Sequence, residues 1–201
     1  MVFIRLMGRG LKNSSNYSLL SCPQTCYIWP SFNRKFENSL VMNIRNAALT
    51  DLDSLHEIEA ACFPANQAAS KETLLNRLKV YPQHFWLIEE HGAIVGFING
   101  MVTNNDTIRD EMFKDANLHT EDGDWQFVFE LAVSPLHQKR GYAGKLLEHL
   151  ADVSKQNNRK GIVLTCEKHL IPLYEKYGYL NIGLSASTHG GNVFYDMRKM
   201  F

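Results

Sequence analysis

Apolar residues recur along this chain with two periods, and the places where the period changes outline its elements. Leu52, Leu55, Ile58 and Cys62 fall three or four apart, the spacing of one helix face. Asp51 and Asp53 occupy the first turn, where the helix dipole favours acids, and Thr50 is placed to cap it. Glu59 follows Leu55 by four and precedes Cys62 by three, so it lies on or beside the buried face, whereas Glu57 points away. Phe63-Pro64 ends this helix. Ser70-x-x-Thr73 opens a second one, with Leu74, Leu75, Leu78 and Val80 as its apolar positions and Tyr81-Pro82 as its stop. A third helix from Gly141 to Gln156 turns Leu146, Leu147, Leu150 and Val153 inward, and a short fourth runs from Leu170 to Tyr177.

Strands fill the intervals. Asn43 to Ala48 comes first. Phe85 to Ile88 and Ile94 to Val102 flank the turn at His91-Gly92 and form an antiparallel hairpin. Trp125 to Val133 is rich in aromatic and β-branched residues and stops at Ser134-Pro135. Ile162-Val163-Leu164 is continuously apolar, as in a strand buried on both faces. Leu180 to Leu184 and Val193 to Met197 complete the set. Asn104 to Glu121 is polar, with a weakly helical stretch at Ile108 to Ala116, and reads as a flap or a long connection.

Candidate chemistry concentrates in WQFVFELAVSPLHQKRGYAG, Trp125 to Gly144. A strand followed by a loop of small residues and a helix start is an anion site. Free N–H groups point at the anion, and the helix dipole adds about half a positive charge. Gly141, Ala143 and Gly144 let a ligand approach the backbone, and Lys139 and Arg140 add charge. The stretch fits neither G-x-G-x-x-G nor G-x-x-x-x-G-K-[ST].

The 201 residues, 45% hydrophobic and 21% charged, suit one domain with a substantial core. Zero formal net charge argues against a nucleic-acid binder working by bulk charge. No apolar run approaches the ~20 residues of a membrane span. We therefore expect no nucleic-acid or membrane partner and a cytoplasmic protein. Residues 1–41 stand apart, with Arg5, Arg9, Lys12, Arg34 and Lys35 against the single acid Glu37. They read as a disordered extension or, acids being scarce, a transit peptide, and 42–201 reads as the domain, with Met42 as its natural start. Cys22-x-x-x-Cys26 is half a zinc motif with no second pair, so no metal is expected. Cys62 and Cys166 sit in apolar surroundings and read as buried, reduced thiols.

The element order, with Gln138-x-x-Gly141-x-Ala143 after Leu131-Ala132-Val133, resembles the Gcn5-related N-acetyltransferase (GNAT) superfamily over about 160 residues from Met42 onward. Glu57-Ile58-Glu59 and Ile171-Pro172-Leu173-Tyr174-Glu175-Lys176-Tyr177-Gly178-Tyr179 agree in order. Phe97-Ile98-Asn99-Gly100, the Asp-rich segment after it and Thr165-Cys166-Glu167 are most similar to the arylalkylamine N-acetyltransferase branch. The resemblance implies an α/β (α+β) fold with a mixed, mostly antiparallel sheet, splayed at a β-bulge and flanked by helices. It implies an enzyme, an acetyl-CoA-dependent N-acetyltransferase that acts on a primary amine in a ternary complex. The acceptor would be a small arylalkylamine or a polyamine, and the protein a monomer or homodimer.

On the same resemblance, acetyl-CoA is the cosubstrate. Gln138, Lys139, Arg140, Gly141, Tyr142, Ala143 and Gly144 hold its pyrophosphate, and the backbone of Leu131, Ala132 and Val133 pairs with its pantetheine arm. Tyr174 matches the family's general acid; a free phenol, with a pKa of about 10, stays protonated and can donate. The histidines that animal arylalkylamine acetyltransferases carry on the central strand align with Phe127 and Phe129, which move no proton. Glu59 is the substitute base, its carboxyl raised by burial. Glu130 ranks below it, because strict alternation sets it on the face opposite Phe127, Phe129 and Leu131. His119 and His169 read as surface residues. Phe63, Pro64, Phe127 and Phe129 are expected to line the amine pocket, and Asp106, Asp110 and Glu111 would serve a polyamine. The competing reading is a coenzyme-A-binding sensor of the same fold with little turnover.

Overall fold

The computed structural model describes residues 42–188 and 191–201. Expectations for residues 1–41, Cys22 and Cys26 included, lie outside the described residues.

Two sheets share one continuous stretch of chain. In the first, β1 (Met42–Asn46), β2 (Phe85–Glu90), β3 (Ala93–Asn99) and β6 (Glu130–Val133) pair antiparallel in that order. In the second the order is β4 (Val102–Thr103), β5 (Trp125–Val128), β7 (Gly161–Cys166), β9 (Tyr195–Met200) and β8 (Leu180–Leu184). Only β5–β7 is parallel among these described pairings. The mixed, mostly antiparallel sheet agrees with the expectation.

β5 and β6 follow one another through Phe129, and here the chain changes sheets. Phe129 N–H donates to Asn99 O at 2.8 Å, while Asn99 is also the register partner of Glu130. Two residues thus face one, which is a β-bulge. It has two consequences. β5 pairs with β7 only as far as Val128–Leu164, so β6 and the end of β7 have no ladder between them. The alternation also slips by one: Phe129 and Glu130 both face the α1–α2 side, while Leu131 joins Val128 on the opposite one. The expected placement of Glu130 is therefore corrected; period 2 fails across a bulge.

Two helices cover each side. α1 (Leu52–Cys62) and α2 (Lys71–Val80) pack Leu55, Ile58, Leu74 and Leu78 against Leu87, Phe97 and Ala132. α3 (Tyr142–Gln156) and α4 (Ile171–Lys176) pack Leu146, Leu150, Leu170 and Tyr174 against Val128, Leu131 and Leu164. Gly100 has to be glycine: a Cβ there would lie 1.9 Å from Phe127 O.

Three local expectations change. Thr50 does not cap α1, because a 3-10 turn at Leu49–Asp51 precedes the helix. Asp51 instead accepts from Ala48 N–H at 2.8 Å and pairs with Arg45 at 2.7 Å. Val80 is 40% exposed, and the buried position on α2 is taken by Arg77. Ile108 to Ala116 holds a 3-10 turn at Asp110–Phe113 rather than an α-helix. Beneath this segment Ile108, Met112 and Phe113 cover Tyr81, Phe127 and Phe129.

Candidate active site

The α3 side of β6 holds a cavity of about 450 Å³ between the 138–144 loop and α4. Lys139 has φ +63 and Gly141 φ +87, so the backbone winds left-handed twice before α3 starts. Gly141 is the residue preceding the helix, and a Cβ there would meet nothing within 4 Å. Its glycine requirement is conformational, and the space before it is open to a ligand. The first-turn N–H groups of α3 have no intrahelical acceptor and face this end. Val133, Gln138, Lys139, Gly141, Tyr142, Ala143 and Gly144 line the cavity, opposite Leu170, Pro172, Leu173, Lys176 and Tyr177. Arg140 is turned aside: it pairs with Glu90 at 3.2 Å, and Tyr142 donates its hydroxyl to the same carboxylate. Val133 O accepts from Gln138 Nε2 at 3.0 Å and from the Cys62 thiol at 3.3 Å, which ties the loop to the end of β6. Leu131 and Ala132 are fully buried in β6.

Tyr174, next to the cavity-lining Leu173 on α4, has 0% exposure and is not among the residues that line this cavity. Its ring meets Tyr179 edge-on at 5.7 Å, and its hydroxyl has no hydrogen-bond partner. Burial raises its phenol well above the ordinary value, with Cys166 and Tyr179 adding to the shift. Cys62 and Cys166 are buried free thiols, each pushed up by burial to about 12.

On the α1–α2 side of β6, four elements bring polar side chains into the core, three of them charged. Glu59 on α1 is 1% exposed. Its Oε1 accepts from Ala69 N–H at 2.8 Å, and its Oε2 has no partner. Burial, and then the charge of Glu130, raise this carboxyl well above its ordinary value, against smaller opposing effects of Ala69 N–H and Arg77. Arg77 on α2 forms a buried ion pair with Glu130, donates to Phe113 O at 2.8 Å and lies 4.9 Å over the Phe129 ring. Asn99 on β3 donates to Glu130 at 2.6 Å. Beside this network opens a cavity of about 220 Å³, lined by Gln67, Ala68, Ala69, Ser70, Thr73, Arg77, Phe113, Lys114 and Glu130. Glu59 stands one hydrogen bond behind its wall, through Ala69.

Glu59 and Glu130 are thus brought together. The four residues expected around the amine are not. Phe63 packs in the α1–α2 core, Pro64 is exposed, and Phe127 and Phe129 are fully buried under Phe113. None of the four lines either cavity. Arg77, Phe113 and Lys114 are not among the site residues read from the sequence, and Asn99 enters there only as part of the Phe97–Gly100 resemblance. Arg77 alone left a signal, since it sits between Leu74 and Leu78 on the apolar stripe. His169 is exposed as expected, whereas the His119 side chain is only 8% exposed and pairs with Glu121.

Residues 52–179 match the Acetyltransferase (GNAT) family, well over half of the chain, and the protein belongs to that family. Among relatives, the chain is 30% identical over 110 residues to "Serotonin N-acetyltransferase" of Mesocricetus auratus, covering 54% of this chain and 52% of the relative. It is 27% identical over 150 residues to "Probable hydrolase YhcX" of Bacillus subtilis (strain 168), covering 71% and 28%. The chain therefore spans about a quarter of one relative's length and half of the other's. Among solved structures, the GphF GNAT-like decarboxylase in complex with isobutyryl-CoA superposes with a TM-score of 0.67 at 20% identity, covering 79% of this chain and 98% of that one. That likeness is one of fold. No helix among the described residues is long and apolar enough to cross a membrane.

Proposed function

We propose that the protein is an acetyl-CoA-dependent N-acetyltransferase whose acceptor is a primary amine bound on the α2 side of β6. Family membership supports acetyl-CoA as cosubstrate and acetyl transfer as the reaction. The observation that carries the assignment of sides is the bulge at Phe129. It ends the β5–β7 ladder at Val128, leaving β6 without that neighbour beside the 450 Å³ cavity, and turns Glu130 toward Glu59 and Arg77 on the other face.

In this reading the first-turn N–H groups of α3 and the loop at Lys139 and Gly141 bind the pyrophosphate. The open edge of β6, from Leu131 to Val133, takes the pantetheine arm and offers an N–H to the thioester oxygen. The amine nitrogen attacks the thioester carbon, and the C–N bond forms as the C=O pair moves to oxygen. Glu59 takes the amine proton through water; its raised carboxyl makes it a stronger base than an exposed glutamate. The C–S bond then breaks, and Tyr174 protonates the leaving thiolate. The acceptor class that fits best is a small arylalkylamine. Phe113 offers an aromatic wall, and Lys114 at the same wall repels a second ammonium, which disfavours a polyamine. The likeness to serotonin N-acetyltransferase points the same way.

One observation favours a second reading. The Tyr174 side chain is fully buried and outside the cavity lining, as a coenzyme-A sensor without turnover would have it. Thiol release from acetyl-CoA with phenethylamine, tryptamine, spermidine, lysine and a short peptide separates the two. Turnover with the aromatic amines is expected. Tight acetyl-CoA binding without thiol release from any of them would favour the sensor.

A further inference from the structure

A third polar cluster lies away from both cavities just described. His84, in the turn before β2, is 2% exposed. His119 and Glu121 come from the segment before β5. His84 Nε2 lies 3.1 Å from both carboxylate oxygens of Glu121, and His119 Nε2 lies 3.0 Å from one of them. One ligand atom from each of the three residues falls within 4.8 Å of the other two.

The hydrogen bonds around His84 decide which nitrogen carries its proton. The Gln126 amide nitrogen donates to Met101 O at 3.2 Å and to Phe127 O at 2.8 Å, so its oxygen faces His84. That oxygen lies 2.9 Å from His84 Nδ1, which must donate to it. In neutral His84 the Nε2 lone pair is therefore aimed at a carboxylate. Two acceptors face each other, an arrangement that calls for a cation between them. A proton on Nε2 fills that place in an imidazolium, and a metal ion fills it for the neutral ring. A hydrogen-bond acceptor behind the ring that fixes the tautomer and leaves Nε2 free is the usual support of a metal-binding histidine.

We propose that His84, His119 and Glu121 bind one divalent ion of the zinc class. Two imidazoles and a carboxylate suit Zn²⁺ or Co²⁺ better than Mg²⁺ or Ca²⁺, which favour oxygen alone. Bonds of about 2.0–2.2 Å in a tetrahedron set neighbouring ligands roughly 3.3 Å apart, a few tenths of an ångström beyond the 3.0 and 3.1 Å between Glu121 and the two histidines. The fourth position opens on a cavity of about 420 Å³ that also touches Gln83 and His149. Two features limit affinity. Val102 N–H donates to His119 Nδ1 at 3.1 Å, a bond that ligation through Nε2 gives up. Arg159 lies 3.5 Å from Glu121 and competes with the ion for its charge. The ion ties the segment carrying His119 and Glu121 to the turn before β2. That same segment supplies Phe113 and Lys114 to the 220 Å³ cavity, so metal binding stiffens one of its walls.

The test uses the full chain, stripped of metal by a chelator and titrated with Co²⁺, then with Zn²⁺ in competition. One equivalent, a visible Co²⁺ spectrum lost on adding Zn²⁺, and a Tm raised by Zn²⁺ are expected. Glu121→Gln changes an exposed side chain, leaves the fold intact and abolishes the spectrum. Gln126→Leu, which frees the His84 tautomer, weakens binding about 10–100-fold. A Cys22→Ser/Cys26→Ser variant keeps the spectrum. A spectrum that survives Glu121→Gln, or disappears with the two cysteines, overturns the proposal. So does the lack of any Co²⁺ spectrum in the unaltered chain.

Discussion

On the α3 side of β6 the cavity is walled by one contiguous stretch, Gln138 to Gly144, and by a neighbouring short helix. On the α2 side, Glu59, Arg77, Asn99 and Glu130 come from four elements, and each is buried. The first region offers main-chain groups and small residues, the second polar and charged side chains held by one another. A backbone site tolerates changes of side chain so long as the dihedrals survive. A side-chain site inside the core makes every member depend on the rest, because a partner removed there leaves a charge without water.

The largest expected effect tests that dependence. Arg77→Met strands Glu130 beside Glu59 and should cost about 3–5 kcal/mol of stability, read from urea unfolding. A loss below about 1 kcal/mol would mean that the network is not the integral unit described. Next, Tyr174→Phe should lower kcat about 100-fold while acetyl-CoA affinity stays within twofold, as expected for loss of a general acid. An unchanged kcat removes Tyr174 from the mechanism. On the backbone side, Gly141→Asp forces an L-residue into φ +87 and sets a carboxylate before the anion site. About tenfold weaker acetyl-CoA binding is expected from repulsion between that carboxylate and the phosphates, and a loss of about 1–2 kcal/mol of stability from the strain. Equal binding would mean that the loop is not the pyrophosphate site.

The smallest effect has the clearest sign. The Glu59 carboxyl is raised in the folded protein, so the fold binds its proton more tightly than the unfolded chain does. Its contribution to stability is present below the ordinary carboxylate range and is lost as pH rises through the raised value. Glu59→Gln should therefore raise Tm modestly at neutral pH, with the gain fading in acid. The same variant should remove the acidic limb of kcat/KM. A limb that stays in place would move the base to Glu130 or to water.

Much of the fold is legible in the chain. The stripes of α1 and α3 and the hairpin at His91-Gly92 follow from local period, and they stand as read. Ser70 caps α2 as its spacing suggests, accepting from Thr73 N–H at 3.1 Å. The errors share a cause. Strict alternation puts Glu130 on the wrong face because it runs through Phe129, where two residues oppose one. Val80 was assigned inward and Arg77 overlooked because a cation between Leu74 and Leu78 looks like a break in the stripe. It is buried only because Glu130 and Phe113 O arrive from distant parts of the chain. His119 looked like a surface residue because its partners, Tyr81, His84 and Glu121, are joined to it only by folding.

By itself the sequence determines the elements and the left-handed loop before α3, since both depend on dihedral preferences and on spacings within about a dozen residues. The left-handed turn at Gly141 and the free amides of α3 need nothing from afar. Tertiary structure alone decides where the central strand breaks its alternation, which charges meet in the core, and how His84 and Glu121 face each other. Those depend on register between strands and on burial, which sets the strength of each charge–charge contact, and neither quantity belongs to any one stretch of chain.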